Sequence, residues 1–416
     1  MDRVILHCDL NSYFASVECI SRPELRNVPM AVCGNPESRH GIILAKNELA
    51  KKYGIVTAET VWQAKKKCPH LTLVQSHHEL YSYYYHLVNE IYSEYTDQVE
   101  AFSIDESWLD VTGSIRLFGS GQEIADELRR RMREELQLTI SVGVSFNKVF
   151  AKLGSDYKKP DATTVISREN FREILFPLPV RDMLFVGPSA AAELMRKGIM
   201  TIGDLADTPP ERLRALVGKM GDMLWAYANG LDDAPVRRIG ETDPAKSISH
   251  SVTFPRNLTG EDDIKTGLLM IADSVGERMR AQQVEGSTVQ VQIKSPELKV
   301  ISRQATLDKP TSITQEIYQA ALSVMERSWD MNRPIRMLSV GLTNFRGQDA
   351  PVQMNLFDQK QDEHREKQMK LDSAVDAIRR RFGPDSISFG QLMDTDLDGV
   401  PRRKRECKDH DKPQTV

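Results

Sequence analysis

The stretch FSIDESWLD, residues 102–110, places two adjacent carboxylates, Asp105 and Glu106, between two short apolar segments. Neighbouring side chains of a β-strand point to opposite faces, so an uninterrupted buried strand does not suit two adjacent charges. A polar pair between strand-like segments is typical of a hairpin turn. We therefore predict a hairpin over residues 102–112, with the pair at its apex. The strand alternation is broken there, so both carboxylates can turn to one side.

The composition is typical of a soluble protein with several domains. Of the 416 residues, 27% are charged and 40% are hydrophobic, and this length suits about two to four domains. The N-terminal segment has no uninterrupted apolar core for a signal peptide, because it is broken by Asp2, Arg3, Asp9 and Glu18. No later segment reaches membrane-spanning length. We expect a cytoplasmic protein with no membrane contact.

Cysteine usage and net charge restrict the function further. The five cysteines, at positions 8, 19, 33, 68 and 407, form no C-x-x-C pair, and the nine histidines lack metal-site spacing. Free thiols in a reducing compartment are the expected state. The net charge of −4 argues against a surface that binds nucleic acid everywhere. Local basic grooves remain compatible with it, because affinity follows the distribution of charge.

The pattern of apolar residues predicts an α+β chain of several domains. In the first part, strands and helices alternate in an order that gives a sheet with helices packed on it. The predicted elements are strands at 3–8 and 139–145, a strand and helix within 41–55, and helices from 12, at 81–96 and at 121–136. Residues 169–236 form a predicted helical domain, and 237–247 a linker. An independent α+β unit follows, with strands at 287–294 and 335–345 and helices near 261–283 and 312–328.

Asp9 ends the first predicted strand. If this strand pairs beside the hairpin, Asp9 lies next to Asp105 and Glu106. Three carboxylates together raise one another's pKa values unless a cation lies among them. Hard oxygen ligands suit Mg²⁺, and two such ions about 3.5–4 Å apart serve in-line phosphoryl transfer. The sequence therefore predicts a two-magnesium site.

Two neighbouring segments suit a phosphate-containing substrate. Residues 10–14, LNSYF, open a helix whose free N–H groups can bind an anion. The segment SFNKVFAKLGSDYKKP brings lysines 148, 152, 158 and 159 towards the same sheet edge. Each feature alone is equally typical of an ordinary turn or a solvated lysine face. Together they would supply metal, phosphate clamp and counter-charge in one place.

The segments CDLNSYFASVE, FSIDESWLDVT and SVGVSFNKVFAKLGSDYKKP resemble the motif set of the Y-family, or lesion-bypass, DNA polymerases. The resemblance spans roughly residues 1–350 and implies a multidomain α+β right-hand polymerase. The implied domains are a palm (1–11 and 78–168), fingers (12–77), a thumb with a helix-hairpin-helix (169–236), a linker (237–247) and a little finger (248–346). Residues 347–416 would hold a clamp-binding peptide, a short helix and a disordered tail from about 394.

The resemblance also implies roles for individual residues. Asp9, Asp105 and Glu106 match the catalytic metal ligands of the family, with the Leu10 carbonyl as a further ligand of the two Mg²⁺ ions. Phe14 matches the steric gate, an aromatic face that leaves no room for a ribose 2′-hydroxyl. The implied substrate-binding residues are Leu10, Asn11, Ser12, Tyr13, Phe14, Asn47, Lys51 and Lys159.

The segment LAKNELAKKYG departs from the family pattern. Many members carry a tyrosine and an arginine on the triphosphate, whereas here Asn47 or Glu48 is near the first position and Lys51 takes the second. Lysine lacks the bidentate fork of arginine, so the phosphate clamp is expected to differ. This pattern is similar to the branch that contains the catalytic subunit of bacterial DNA polymerase V, more than to the branch of DNA polymerase IV.

Two further segments indicate contacts with DNA. VGPSAAAELMRKGIMTIGDL resembles a helix-hairpin-helix, in which Gly187 and Gly198 let backbone N–H groups approach a phosphate; a glycine-capped helix pair packed for its own sake is the alternative. In the C-terminal unit, Lys294, Lys299 and Arg303 are spaced along paired strands and could follow a phosphate backbone. Solvated strand residues are the alternative there.

The pentapeptide QMNLF, residues 353–357, resembles the peptide with which bacterial polymerases bind the sliding clamp. Leu356 and Phe357 are its apolar anchors and Gln353 its hydrogen-bonding end. The amphipathic helix that follows is again similar to the polymerase V branch, and an accessory subunit is a possible partner. Primer–template DNA and dNTPs are the implied substrates.

Two rival hypotheses remain open on the sequence. Nucleotidyl cyclases share a palm-like sheet with two-metal carboxylates, but they have no thumb or clamp peptide. A catalytically silent scaffold for clamp and repair factors would not need Asp9, Asp105 and Glu106. The resemblance favours an error-prone translesion polymerase made in response to DNA damage.

Overall fold

The computed structural model describes residues 2–36, 41–347, 359–392 and 395–397. The chain divides into two compact units, Met1–Thr242 and Asp243–Val416. The boundary between them lies inside the 237–247 segment that we predict as a linker. Among the described residues, no helix combines the length and apolarity needed to cross a membrane.

The first unit contains short strands and helices in alternation. Its strands are β1 (Ile5–Leu10), β2 (Met30–Cys33), β3 (Ile43–Lys46), β4 (Thr72–Gln75), β5 (Val99–Ala101), β6 (Glu106–Asp110), β7 (Ile140–Ser145) and β8 (Thr163–Val165). Its helices are α1 (Tyr13–Ser21), α2 (Glu48–Lys51), α3 (Val61–Lys67), α4 (His78–Ser93), α5 (Ile115–Phe118), α6 (Gly121–Leu136), α7 (Lys148–Tyr157), α8 (Phe171–Leu175), α9 (Pro188–Arg196), α10 (Ile202–Asp207), α11 (Pro210–Val217) and α12 (Met220–Ala228).

The main sheet of this unit has the order β5-β6-β1-β7-β8. The central strand β1 pairs antiparallel with β6 and β7, and every one of its residues is buried. Because side chains alternate along a strand, Leu6, Cys8 and Leu10 enter the core formed with α4 and α6. The other face of β1 is covered by α7, and it carries His7 and Asp9.

Helix α7 lies directly on the sheet because Gly143 of β7 has no side chain. A Cβ atom at this position would come within 1.9 Å of the Ala151 carbonyl oxygen and 2.5 Å of the Ser155 amide nitrogen. Contacts this short are incompatible with the present position of the helix. Gly143 therefore permits the close approach that brings the polar side chains of α7 to the β1 face.

Two smaller cores complete the first unit. A sheet in the order β3-β2-β4 packs on α2 and α3 around Ile43, Ala50 and Ala64. The helices from α8 to α12 surround a separate core that includes Leu194, Leu213 and other apolar residues, together with Phe146 and Phe150 from the region of α7. These parts correspond in sequence to the predicted fingers and thumb.

The second unit is an antiparallel sheet covered by helices. Its strands are β9 (Ser247–Leu258), β10 (Val284–Lys294), β11 (Val300–Thr311) and β12 (Ile335–Gly347), and they form one sheet in the order β11-β10-β12-β9. Its helices are α13 (Gly260–Ala281), α14 (Thr314–Ser328) and α15 (Gln359–Phe382). The apolar faces of α13 and α14 pack on this sheet in one core. The predicted short helix after the clamp peptide is thus a long one, because it also includes the polar residues 359–366.

Candidate active site

Two of the predicted carboxylates, Asp9 and Glu106, meet at the edge of the main sheet, and Asp105 lies in the adjoining turn. Asp9 of β1 lies directly opposite Glu106, the first residue of β6. The turn from β5 to β6 is fixed by a hydrogen bond of 2.9 Å from the Leu10 amide to the Asp105 carbonyl oxygen. The hydroxyl of Ser103 donates to Asp105 Oδ1 at 2.5 Å. The pairing of β1 beside a hairpin is therefore as predicted. The apex is not, because the turn covers residues 102–105, so that Asp105 lies in it while Glu106 already belongs to β6.

Two lysines bind the carboxylates. Lys152 Nζ lies 3.3 Å from Asp9 Oδ2, 3.1 Å from Glu106 Oε1 and 3.1 Å from Asp156 Oδ2. Lys159 Nζ lies 2.7 Å from Asp9 Oδ2 and 2.8 Å from Asp156 Oδ1. Both lysines were predicted as counter-charges at this edge. Asp156 was not, although its position one turn after Lys152 on α7 is a signal for it.

The carboxylates at this edge differ in acidity. Burial holds the pKa of Asp9 above its usual range, against the opposite effect of Lys159 and Lys152. Burial acts on Glu106 in the same direction, but His7 and Lys152 outweigh it and lower the pKa of that carboxyl. The pKa of Lys152 rises to about 12 despite its burial, because Asp156, Asp9 and Glu106 surround it. The site is thus a strongly charged cluster in a poorly solvated place.

His7 is a buried neighbour of the site that the sequence analysis missed. Its Nδ1 lies 2.8 Å from Ser155 Oγ, and its Nε2 lies 3.5 Å from Glu106 Oε2. Burial lowers the pKa of His7 to about 4, so the ring is neutral at neutral pH. The available signal was its spacing, because a residue two positions before Asp9 on a strand shares its face.

The donor set fits a hard divalent cation. Among the described residues, no three His, Cys, Asp or Glu side chains converge closely enough to hold a metal ion. The Lys152 ammonium nevertheless contacts Asp9 and Glu106 at once, at 3.3 and 3.1 Å. One cation can therefore reach both carboxylates, and their hard oxygens are the ligands that Mg²⁺ prefers.

The predicted phosphate site opens next to Asp9. Ser12 precedes α1 in a left-handed conformation with φ of 50°, and among the described residues no side chain caps the helix. Its hydroxyl donates to Glu48 Oε1 at 3.2 Å. The preceding Asn11 is buried, donates to Ser141 Oγ at 3.0 Å and accepts from the Asp161 amide at 2.8 Å. Asn11 therefore holds the loop that follows Lys159 against the sheet.

The residues predicted as steric gate and neighbour have different environments. Phe14 is half-buried and stacks on Tyr81, with ring centroids 4.1 Å apart and planes 12° apart. Tyr13 is buried, and its hydroxyl donates to the Tyr81 carbonyl oxygen at 2.6 Å. The Tyr81 hydroxyl donates in turn to Glu18 Oε1 at 2.6 Å. Phe14 is thus a partly accessible ring on a fixed support, whereas Tyr13 is part of the core.

Asn47 and Lys51 are engaged elsewhere. Both amide donors of Asn47 are used, on the Leu25 and Val28 carbonyl oxygens, and its Oδ1 accepts from the Met30 and Ala50 amides. The side chain therefore caps α2, and the substrate-binding role of Asn47 stays a prediction. Lys51 is exposed and pairs with Glu48, so its ammonium is accessible.

The predicted DNA contacts lie on exposed parts of their elements. Gly187 precedes α9 and Gly198 follows it with φ of +83°, and a Cβ atom would meet nothing within 4 Å at either glycine. A phosphate could therefore approach both. Lys299 and Arg303 are exposed near or on the edge strand β11, and Lys294 ends the neighbouring strand β10. The clamp-binding residues Gln353, Leu356 and Phe357 lie outside the described residues.

Comparison with known proteins identifies the family. Residues 8–156 match the impB/mucB/samB family model, and residues 245–356 match the model of its C-terminal domain. A protein named DNA polymerase IV in Acetivibrio thermocellus is 49% identical over 94% of this chain and 98% of its own length. DNA polymerase IV of Moorella thermoacetica is 39% identical over 92% and 94%. The chain therefore belongs to the impB/mucB/samB family, and the Y-family resemblance is confirmed.

A solved structure agrees on the fold. A Y-family DNA polymerase chimera of Dbh and Dpo4 superposes with a TM-score of 0.72 at 23% identity, covering 82% of this chain and 98% of the chimera. The predicted multidomain right-hand architecture is thereby confirmed.

The expected likeness to the polymerase V branch is corrected. DNA polymerase IV 2 of Bacillus subtilis is a further relative, 36% identical over 93% of both chains. All three of these relatives are named DNA polymerase IV or DNA polymerase IV 2. The expectation rested on Asn47, Lys51 and the place of QMNLF. These positions are few, and the Asn47 side chain forms hydrogen bonds with the protein backbone. Its presence therefore does not distinguish the two branches.

Proposed function

We propose that Asp9, Asp105 and Glu106 form the nucleotidyl-transfer centre of this chain. The family and the relatives make the chain a DNA-directed DNA polymerase of the translesion type, which extends a primer on a template strand. The observation that carries the assignment of the centre is the register of β1 and β6, which places Asp9 opposite Glu106 beside the turn that holds Asp105.

The carboxylates of Asp9, Asp105 and Glu106, with the Leu10 carbonyl, would hold two Mg²⁺ ions. When bound, these ions neutralise the charge that develops on the attacking and leaving oxygens in nucleotidyl transfer. The two lysines of the site occupy positions on the carboxylates that the metal ions would take. Lys152 and Lys159 both contact Asp9 Oδ2, and Lys152 also contacts Glu106 Oε1. If metal ions occupied these carboxylates, the two ammonium groups would be free to bind an incoming triphosphate.

The triphosphate would lie between these lysines and the first turn of α1. The amides of this turn follow Ser12 and point out of the helix, where the macrodipole favours an anion. Lys159 is partly exposed and Lys51 more so, and both can turn towards phosphate oxygens. Ser12 would contribute its hydroxyl once it leaves Glu48.

Phe14 would select deoxynucleotides. The stack on Tyr81 and the hydrogen bond from Tyr81 to Glu18 hold the ring in place. A rigid aromatic surface below the sugar leaves no room for a 2′-hydroxyl, whereas a mobile side chain would move aside. The packing of Phe14 therefore supports a gate.

The proposed partners follow from the remaining surfaces. Gly187, Gly198, Lys294, Lys299 and Arg303 would contact the phosphate backbone of primer–template DNA, which positions the duplex without reading its sequence. QMNLF would tether the enzyme to the replication sliding clamp. Tethering raises the local concentration of polymerase at the primer without new DNA contacts. We place the enzyme in the cytoplasm, where its substrates are.

The test is single-turnover primer extension with Mg²⁺ by Glu106→Gln, which keeps the size of the side chain and removes its charge. We expect extension to fall by roughly a hundredfold or more, because a direct metal ligand has at least the effect of the groups that orient one. Binding of primer–template DNA should be unchanged. The control is Glu90→Gln, an exposed carboxylate on α4, which should behave as wild type. Extension at the wild-type rate by Glu106→Gln would refute the assignment.

A further inference from the structure

Helix α15 packs on its unit with a charged side rather than with its apolar side. Three of its charged residues are the buried ones: Asp372, Asp376 and Arg379 are 8%, 7% and 7% exposed. A surface helix normally buries its apolar stripe and exposes its charges. The residues that α15 contacts must therefore supply partners for these charges.

The partners come from α13. Arg280 Nε and Nη2 donate to the two carboxylate oxygens of Asp376 at 2.6 and 3.0 Å, and its Nη1 donates to Asp372 Oδ2 at 3.0 Å. Arg379 donates from Nη1 to Asp273 Oδ1 at 3.0 Å. The bidentate geometry of arginine with carboxylate fixes both position and orientation. These pairs determine which side of α15 faces the unit.

Contacts with the end of β11 and the first turn of α14 support the same placement. The Thr314 amide donates to Asp372 Oδ2 at 2.8 Å. Arg365 donates to Glu316 Oε1 at 2.7 Å and to the Pro310 carbonyl oxygen at 2.8 Å. Helix α15 is thus anchored over much of its length, and it cannot roll to hide another face without breaking these bonds.

The anchoring leaves an apolar stripe in solvent. Its members follow the spacing i, i+3, i+4, i+7 and i+11, and we name this stripe the α15 apolar face: Leu371, Ala374, Val375, Ile378 and Phe382. Leu371 is 62% exposed, Ile378 36% and Phe382 66%. A contiguous exposed apolar surface on a folded protein marks a site of interaction.

The surroundings of the face indicate what binds it. Lys367, Arg380 and Arg381 are exposed along the helix, and Lys370 is exposed but pairs with Glu366. The complementary surface is therefore an apolar groove with carboxylates at its rim. An amphipathic helix with this spacing binds by laying its stripe into such a groove. The helix begins two positions after Phe357, the last residue of QMNLF. A protein that holds the pentapeptide is therefore next to α15.

We propose that the α15 apolar face is a second contact with the sliding clamp. The proposal rests on the proposed clamp tether and extends it from a peptide to a folded surface. Leu371 lies 12 residues from the start of α15, which is about 18 Å along a helix. The two contacts would therefore fall on separate parts of the clamp. Because Arg280 and Arg379 hold the helix on its unit, the second contact fixes the orientation of the polymerase as well as its distance.

The experiment is a direct titration of the full-length chain with the sliding clamp of the same organism. The variant Leu371→Gln/Phe382→Gln makes the face polar with a residue that favours helix. The matched control, Ser373→Gln/Ala377→Gln, introduces the same residue at exposed positions outside the face. We expect the face variant to bind the clamp roughly tenfold more weakly than the control. Primer extension without clamp should be equal in both.

A third variant distinguishes failure of this inference from failure of the proposed clamp tether. If Gln353→Ala/Leu356→Ala/Phe357→Ala no longer binds the clamp, the role of the pentapeptide as clamp tether is supported. If it binds the clamp like the wild type, that role is refuted, irrespective of the result for the face variant. The inference itself is overturned if the face variant binds the clamp as tightly as the control. It is also overturned if sedimentation shows that the wild-type chain dimerises and the face variant does not, because the face would then join two copies.

Discussion

Two clusters of buried charge in this molecule use opposite means to hold carboxylates. At the edge of the main sheet, lysines hold Asp9 and Glu106. Between α13 and α15, arginines hold Asp376 and Asp273. A lysine ammonium is a mobile point charge, whereas the arginine guanidinium is a rigid fork that matches a carboxylate. The first cluster is suited to exchange of its cation and the second to permanence.

Hydrogen bonding in the two clusters shows the same difference. At the active site, His7 Nε2 and Glu106 Oε2 are buried and have no hydrogen-bond partner among the described residues. In the second unit, Arg280 donates to both aspartates of α15, to the Ser312 carbonyl oxygen and to the Thr314 hydroxyl. A buried polar group without a partner costs free energy. The active site accepts that cost where a substrate or metal is to enter. In the helix anchor Arg379 Nη2 also lacks a hydrogen bond, although it lies 2.9 Å from Asp273 Oδ2 in an ion pair.

The largest expected effect on stability is at the helix anchor. Arg280→Met would leave Asp372 and Asp376 buried without their cation, and breaking a buried ion pair costs about 4 kcal/mol. We expect the amides of α15 to lose protection in hydrogen exchange. The control is Lys265→Met on the same helix, which breaks an exposed pair with Glu261 and should leave protection unchanged. Full protection in Arg280→Met would mean that packing alone holds α15.

A somewhat smaller and reversible effect is expected at the active site. Lys152→Met removes a cation from Asp9, Glu106 and Asp156, but Lys159 remains on two of them, so we expect a loss of about 3 kcal/mol. Mg²⁺ should restore the melting temperature of Lys152→Met, because the ion replaces the lost charge. It should not restore Arg280→Met. Equal responses of the two variants to Mg²⁺ would remove the distinction between exchangeable and permanent cations.

The smallest effect is a pH dependence. Burial raises the pKa of Asp9 from 3.8 to about 6, so the fold favours the protonated form. That contribution is complete below about pH 4 and is lost as the pH rises through about 6. Relative to Asp9→Asn, the wild type without Mg²⁺ should therefore lose about 2 kcal/mol of unfolding free energy over this interval. Parallel stability curves of the two proteins from pH 4 to 7 would contradict the raised pKa.

The local sequence was sufficient to predict the carboxylate site. Asp105 lies in a hairpin turn, Glu106 begins the strand that follows it, and Asp9 lies near the end of an apolar strand. All three patterns have short range. Once the strands pair, the alternation of side chains brings Asp9 and Glu106 together. The predicted helices of the C-terminal unit lie within a few residues of α13 and α14 for the same reason. Strong periodicity over one element needs no knowledge of its neighbours.

Other features depend on contacts between distant residues. Asn47 was predicted as a phosphate ligand from its position in a motif, but its amide is used by Leu25, Val28 and Met30, which lie up to 22 residues away. The membership of the polymerase V branch was inferred from the same few positions and is corrected by likeness over the whole chain. A short motif does not show which of its polar groups form hydrogen bonds within the fold.

The sequence by itself determined the family and the meeting of Asp9 and Glu106 at the sheet edge, because motifs and periodicity are local properties of the chain. The tertiary structure alone decided which cations hold the carboxylates and that His7 lies behind Glu106, because these contacts join β1, β6 and α7. It also decided that α15 faces its unit with Asp372 and Asp376. The pattern of that helix predicts a buried apolar stripe, and distant partners such as Arg280, more than 90 residues earlier, reverse the choice.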